Sequence, residues 1–158
     1  MSLNLDIWGI YLDLGQVEKA QEFQQKSEKF LKEIESDAYQ PIYFFNLARK
    51  NWLEDLQEKA FDLIFKGIQS LDAYAKAEKT GKLELLWRFH HLLGKWYIEL
   101  YEYEKAYKEL EKAGEILKKL SENIKDPELK ESYLKDDKKI ELLSDVKSIS
   151  EMLVGKEK

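Results

Sequence analysis

The tripeptide Glu-Lys-Ala occurs three times, ending at Ala20, Ala60 and Ala106, and the residues around it recur in register. Seven positions after each alanine stand Ser27, Gly67 and Ala113, all small. Twelve positions before stand Trp8, Ala48 and Gly94, preceded by Ile7, Leu47 and Leu93; nine before stand Tyr11, Asn51 and Tyr97. Any one match is cheap in a chain rich in Lys and Glu, but the joint register is not. The copies are spaced by 40 and then 46 residues, the range of helical repeat units. Small residues at fixed places on two helices let their axes approach closely. The pattern therefore predicts one helix hairpin used three times.

Apolar residues recur every three or four positions almost throughout, and strict alternation is rare, so the chain reads as all-α. Helices are predicted over about 3–14, 17–35, 41–54, 57–79, 83–101, 103–124, 127–134 and 138–153. Gly15 suits a helix C-terminus, and Thr80-Gly81 is expected to end another helix. Pro41 opens a helix, and Asp126-Pro127-Glu128 combines an N-cap, a first-position proline and an early acid. Lys135-Asp136-Asp137 breaks the chain before a final amphipathic helix. Its stripe is Leu142, Val146, Ile149 and Leu153, with Lys147, Ser148 and Glu151 mostly turned away.

Several function classes lose support at this point. Charged residues make up 36% and apolar residues 44%, which argues against disorder. With no Cys, disulfides, thiolate metal sites and a Cys nucleophile are excluded. The formal charge of -5 and the interspersed signs do not suit a nucleic-acid binder. No apolar run approaches the roughly 20 residues that span a bilayer, and "MSLNLDIW" lacks the features of a secretory signal. The expectation is a cytoplasmic protein with neither a nucleic-acid nor a membrane partner.

"LLGKWYIELYEYEKAYKELEKA" resembles a tetratricopeptide (TPR) repeat through Leu93-Gly94, Tyr97, Ala106, Leu110 and Ala113. The glycine usual between the two helices is Tyr101 here, and the motif's final proline is absent from all three copies. The first copy matches through Ile7, Tyr11, Gly15, Ala20 and Ser27, with bulky Trp8 at a small position; the middle one keeps Leu47, Ala48, Ala60 and Gly67. The resemblance implies a right-handed TPR-like superhelical solenoid of three helix hairpins. The repeats would fall at about 3–36, 41–79 and 83–124 in a single domain, with a C-terminal capping helix within 127–153. Leu86-Trp87-Arg88, Leu93-Gly94, Ala106, Asp126-Pro127-Glu128-Leu129 and Ser132-Tyr133-Leu134 are also similar to the C-terminal repeat region of large bacterial signalling proteins. Those proteins join a cyclase or kinase domain, an ATPase module and a TPR tail. None of their catalytic domains lies in this chain, so the resemblance implies a fragment of a larger protein and no activity.

The chemistry-bearing residues support the same expectation of a non-enzyme without cofactor or metal. His90 and His91 are the only histidines, and adjacent helical positions diverge by about 100°, so the two rings do not share one ion. There is no His-Glu-x-x-His pattern, Gly-rich phosphate loop or nucleophile elbow. Paired carboxylates are abundant, but they fall at turns and on solvated faces. Large aromatics at helical spacing suit the seams between helices better than base stacking.

The expected function is a protein- or peptide-binding module serving as a scaffold or regulatory segment. In TPR-like proteins the first helix of each hairpin lines the binding groove. Carried onto this chain, the resemblance puts Phe45, Arg49 and Trp52, then Arg88, His91 and Lys95, on that surface, after a first stripe of Leu5, Gly9 and Leu12. Arg forks on carboxylates, which points to an acidic, partly apolar peptide. The dicarboxylate clamp of some TPR proteins is matched only at Asn46 and Arg88, so chaperone-tail binding is not expected. The alternative is a segment that packs within its parent protein or against a copy of itself and binds no separate ligand. The first helix is apolar nearly all round, so it is expected to meet an upstream repeat or a second chain.

Overall fold

The computed structural model of the chain describes residues 3–34, 37–76 and 80–156. Among the described residues the regular structure is helical. The helices are α1 (Leu3–Asp13), α2 (Val17–Glu33), α3 (Gln40–Leu53), α4 (Gln57–Lys76), α5 (Thr80–Glu99), α6 (Tyr103–Glu122), α7 (Pro127–Leu134) and α8 (Asp137–Lys156), with a 3-10 turn at Asp37–Tyr39. Every expected helix is present. The expected ends at 35 and 79 lie outside the described residues. No described helix is long and apolar enough to cross a membrane.

The predicted punctuation is mostly in place. Pro41 sits in the first turn of α3. Asp126 caps α7, its carboxylate accepting from the Leu129 N–H at 2.9 Å, with Pro127 behind it. Asp136 does the same for the start of α8, accepting from the Lys138 N–H at 3.1 Å. One signal points the other way: Thr80 and Gly81 open α5 rather than end a helix. The first helical N–H groups need no intrahelical partner, and nothing lies within 4 Å of a Cβ built at Gly81, so glycine is tolerated there.

The three hairpin turns are built alike. The Gln16 N–H reaches the Tyr11 carbonyl at 2.9 Å, Leu56 reaches Asn51 at 2.8 Å and Glu102 reaches Tyr97 at 2.8 Å. One residue earlier, Gly15 reaches Leu12, Asp55 reaches Trp52 and Tyr101 reaches Ile98 at 3.0–3.1 Å. This pair of bonds is a Schellman motif, which needs a left-handed residue just past the helix. Gly15, Asp55 and Tyr101 supply it, with φ of 66°, 58° and 60°. All three stand five positions before the register alanines, and the carbonyls that accept the bond spanning five residues belong to the Tyr11, Asn51 and Tyr97 register set. The repeat is thus written in the backbone, although only the first copy uses glycine.

The chain packs as two compact units, Met1–Ser70 and Leu71–Lys158, and the division falls within the second expected repeat. In the first unit α1 packs against α2 and α3. Leu5, Trp8, Leu12 and Ala20 form a buried cluster against Tyr11, Phe23, Tyr39, Ile42, Tyr43 and Leu47. Trp8, bulky where the register asks for a small residue, is fully buried with its ring 5.6 Å from Tyr43. The Trp52 and Phe61 rings meet edge to face at 5.9 Å, joining α3 to α4. The opposite side of α1 is open in this unit, with Leu3, Ile10 and Leu14 more than half exposed.

In the second unit α5 lies along α6, and α7 and α8 pack on α6. Ala106, Leu110, Ala113, Leu117 and Leu120 bury one stripe of α6. The α5–α6 seam is close at Gly94, where a Cβ would stand 2.6 Å from Leu110 Cγ and 3.4 Å from the Ala106 carbonyl. This is the close approach the register anticipates. Leu142 and Ile149 bury the inner face of α8, while Lys147, Ser148 and Glu151 are exposed. The outer face also carries Ile140, Leu143, Met152 and Val154, each about half exposed.

Candidate functional site

The expected binding residues fall on two surfaces, one in each unit. On the first, α1 and α3 are joined by polar ties. Asn46, 3% exposed, donates its amide to the Leu5 carbonyl at 2.8 Å. Arg49 donates to the Gly9 carbonyl at 3.3 Å and pairs with the Asp13 carboxylate. Its guanidinium lies over the Phe45 ring at 5.6 Å. Phe45 is buried beneath it, and Trp52 is half-buried against Phe61. Arg49 is therefore the charged centre of this face, with its stem packed and its head shared with α1. Nearby, Tyr43 donates to Glu28 at 3.0 Å; burial, then the Glu28 bond, pushes its phenol up to about 12.

On the second surface, Arg88, His91 and Lys95 share a stripe of α5 with Glu84, each one helical turn from the next. His91 is buried and its Nε2 meets Asp145 Oδ2 of α8 at 2.8 Å. Lys95 pairs with Glu141, also of α8. Glu84 accepts from the Tyr133 hydroxyl at 2.6 Å and lies 3.5 Å from the Lys139 ammonium, which sits over the Tyr133 ring. Burial, then the Glu84 bond, raises the Tyr133 phenol above its ordinary value. Of the α5 stripe expected to face a ligand, His91 and Lys95 thus meet α8, while Glu84, one turn before Arg88, meets α7 and α8.

His90 points elsewhere, as the angular argument required. Its Nδ1 meets Glu109 Oε2 of α6 at 2.6 Å, and Lys112 holds the other carboxylate oxygen at 3.0 Å. Burial alone would raise the Glu109 carboxyl; the His90 and Lys112 hydrogen bonds reverse this and hold it below the usual range. Glu84, Glu109, Glu141 and Asp145 are the partners that sequence reasoning missed. The spacing of Glu141 and Asp145, one turn apart on a predicted helix, was visible. Nothing local connects it to His91, 54 residues earlier.

No known protein family matches the chain, and comparisons with curated proteins and with solved structures found no match.

Proposed function

We propose that the chain is a non-enzymatic protein- or peptide-binding helical-repeat module, a scaffold or regulatory segment of the cytoplasm. Its three hairpins act as units of a right-handed TPR-like solenoid, with α8 as the cap. The observation that carries this reading is the hairpin turn made three times with the same hydrogen bonds at the same register position. Solenoids of repeated helix pairs offer extended concave binding surfaces, and the TPR resemblance implies that the first helix of each hairpin lines this one.

The α1–α3 face of the first unit is the surface offered to the ligand. Arg49 is held by Asp13, whose side chain is 45% exposed. The Arg49 side chain is only 14% exposed, so its guanidinium is already largely desolvated and needs a carboxylate partner; a ligand carboxylate would take the place of the more exposed Asp13. Trp52 beside it accepts an apolar neighbour. The favoured ligand is an acidic peptide with an adjacent apolar residue.

A specific observation favours the second reading, a packing segment without a separate ligand: His91 and Lys95 already bind α8 of their own chain. A displayed peptide library separates the two. The binding reading expects acidic sequences to be enriched and then lost in Arg49→Glu, with circular dichroism unchanged. If no acidic sequence is enriched, or Arg49→Glu retains the selected peptides, the α1–α3 face is not a ligand site.

A further inference from the structure

We infer that His91, Glu141 and Asp145 form a site for a single divalent transition-metal ion that clamps α8 to α5. Their ligand atoms all lie within 4.8 Å of one another. Glu141 and Asp145 are one turn apart on α8 and reach the same point from one side, while the buried His91 imidazole reaches it from α5. The Trp87 ring stacks on that imidazole at 6.3 Å and 30°, and it is itself buried, so the histidine is backed by a rigid wall.

Bonds of about 2.0–2.2 Å from an ion to imidazole nitrogen and carboxylate oxygen bring such ligand atoms to about 3.4 Å from each other. His91 Nε2 and Asp145 Oδ2 stand at 2.8 Å. They need to part by about 0.6 Å, and Glu141 to swing in from within 4.8 Å. Imidazole coordinates through a free lone pair, so a proton lying between Nε2 and Oδ2 would have to leave as the ion enters.

Charge favours the exchange. Two carboxylates converge here, and the Lys95 ammonium meets Glu141 while His91 meets Asp145. Lys95 is 40% exposed, so it can return to water when a dication takes its place. One nitrogen and two oxygen donors, with the remaining positions open to water, suit zinc, cobalt or manganese better than copper(I) or calcium. Such an ion would hold α8 by coordination where hydrogen bonds now hold it. This inference concerns the second unit alone and stands whether or not the α1–α3 face takes a peptide.

The test is titration of the intact chain with cobalt(II) chloride, followed by its visible ligand-field absorption and by calorimetry. One equivalent should bind, and zinc should displace it. Glu141→Gln, at an exposed position, should weaken binding by more than the roughly tenfold to hundredfold that loss of an outer-shell partner costs, as should His91→Gln. Lys95→Met should tighten binding by removing the competing cation. Absence of saturable cobalt binding in both the native chain and Lys95→Met would overturn the inference. So would binding that Glu141→Gln leaves unchanged.

Discussion

Adding the same methyl group at two glycines of the second unit should stabilise at one and not at the other. Gly94→Ala puts a Cβ 2.6 and 2.7 Å from two carbons of Leu110, one of them the branch carbon Cγ. Leu110 is fully buried, so it cannot swing away, and the α5–α6 seam must open by about 1 Å to restore contact distances of 3.5–4.0 Å. A buried leucine makes about 40–60 contacts of about 0.1–0.2 kcal/mol, and a gap approaching 1 Å forfeits a quarter or more of those on the opened side. That amounts to about 1–3 kcal/mol, the usual cost of overpacking. Against it stands about 1 kcal/mol gained by replacing glycine with alanine inside a helix. Gly114→Ala in α6 receives the same gain, but its Cβ meets only Val146 Cγ2, at 3.8 Å. Gly114→Ala should therefore raise stability by up to about 1 kcal/mol, and Gly94→Ala should fall below it by about 1–3 kcal/mol. Gly94→Leu should be worse than either. Urea unfolding followed in parallel by circular dichroism and tryptophan fluorescence measures the difference in midpoint. If Gly94→Ala stabilises as much as Gly114→Ala, the close α5–α6 seam and the register built on it are wrong.

The hairpin turns and the buried histidine pair give two further expectations. Tyr101 holds a left-handed φ of 60° while largely exposed, so Tyr101→Gly should stabilise by up to about 1 kcal/mol, whereas Gly15→Ala should cost a similar amount; urea midpoints decide both. Glu109 has its carboxyl held below the ordinary 4.5, so between that value and its lower native value the unfolded chain binds more protons than the native one. Its stabilising contribution is complete above 4.5 and disappears as pH falls through the native value. Urea midpoints measured through that acid window should fall less steeply in Glu109→Gln, and an unchanged slope would show that the His90–Glu109 pair carries none of it.

The helices were legible in the sequence because their signals are local. Pro41, Gly15 and Asp126-Pro127 act on backbone dihedrals and N–H groups within one turn of themselves, and a periodicity of three to four needs no knowledge of the partner helix. The register of the three hairpins was legible for the same reason, since Ala20, Ala60 and Ala106 stand at a fixed distance from each turn. The left-handed backbone at Asp55 and Tyr101 was not. Aspartate only tolerates a left-handed φ and tyrosine disfavours it, so neither announces the turn as glycine does at Gly15. The candidate sites lay still further from view. Spacing placed Arg49 and His91 on their helices, but only packing brought Asp13 to the one and Asp145 to the other, across 36 and 54 residues. Helix crossings decide such pairs. They depend on which ridges interlock and how closely small residues such as Gly94 let the axes approach, quantities that the polar residues themselves do not encode.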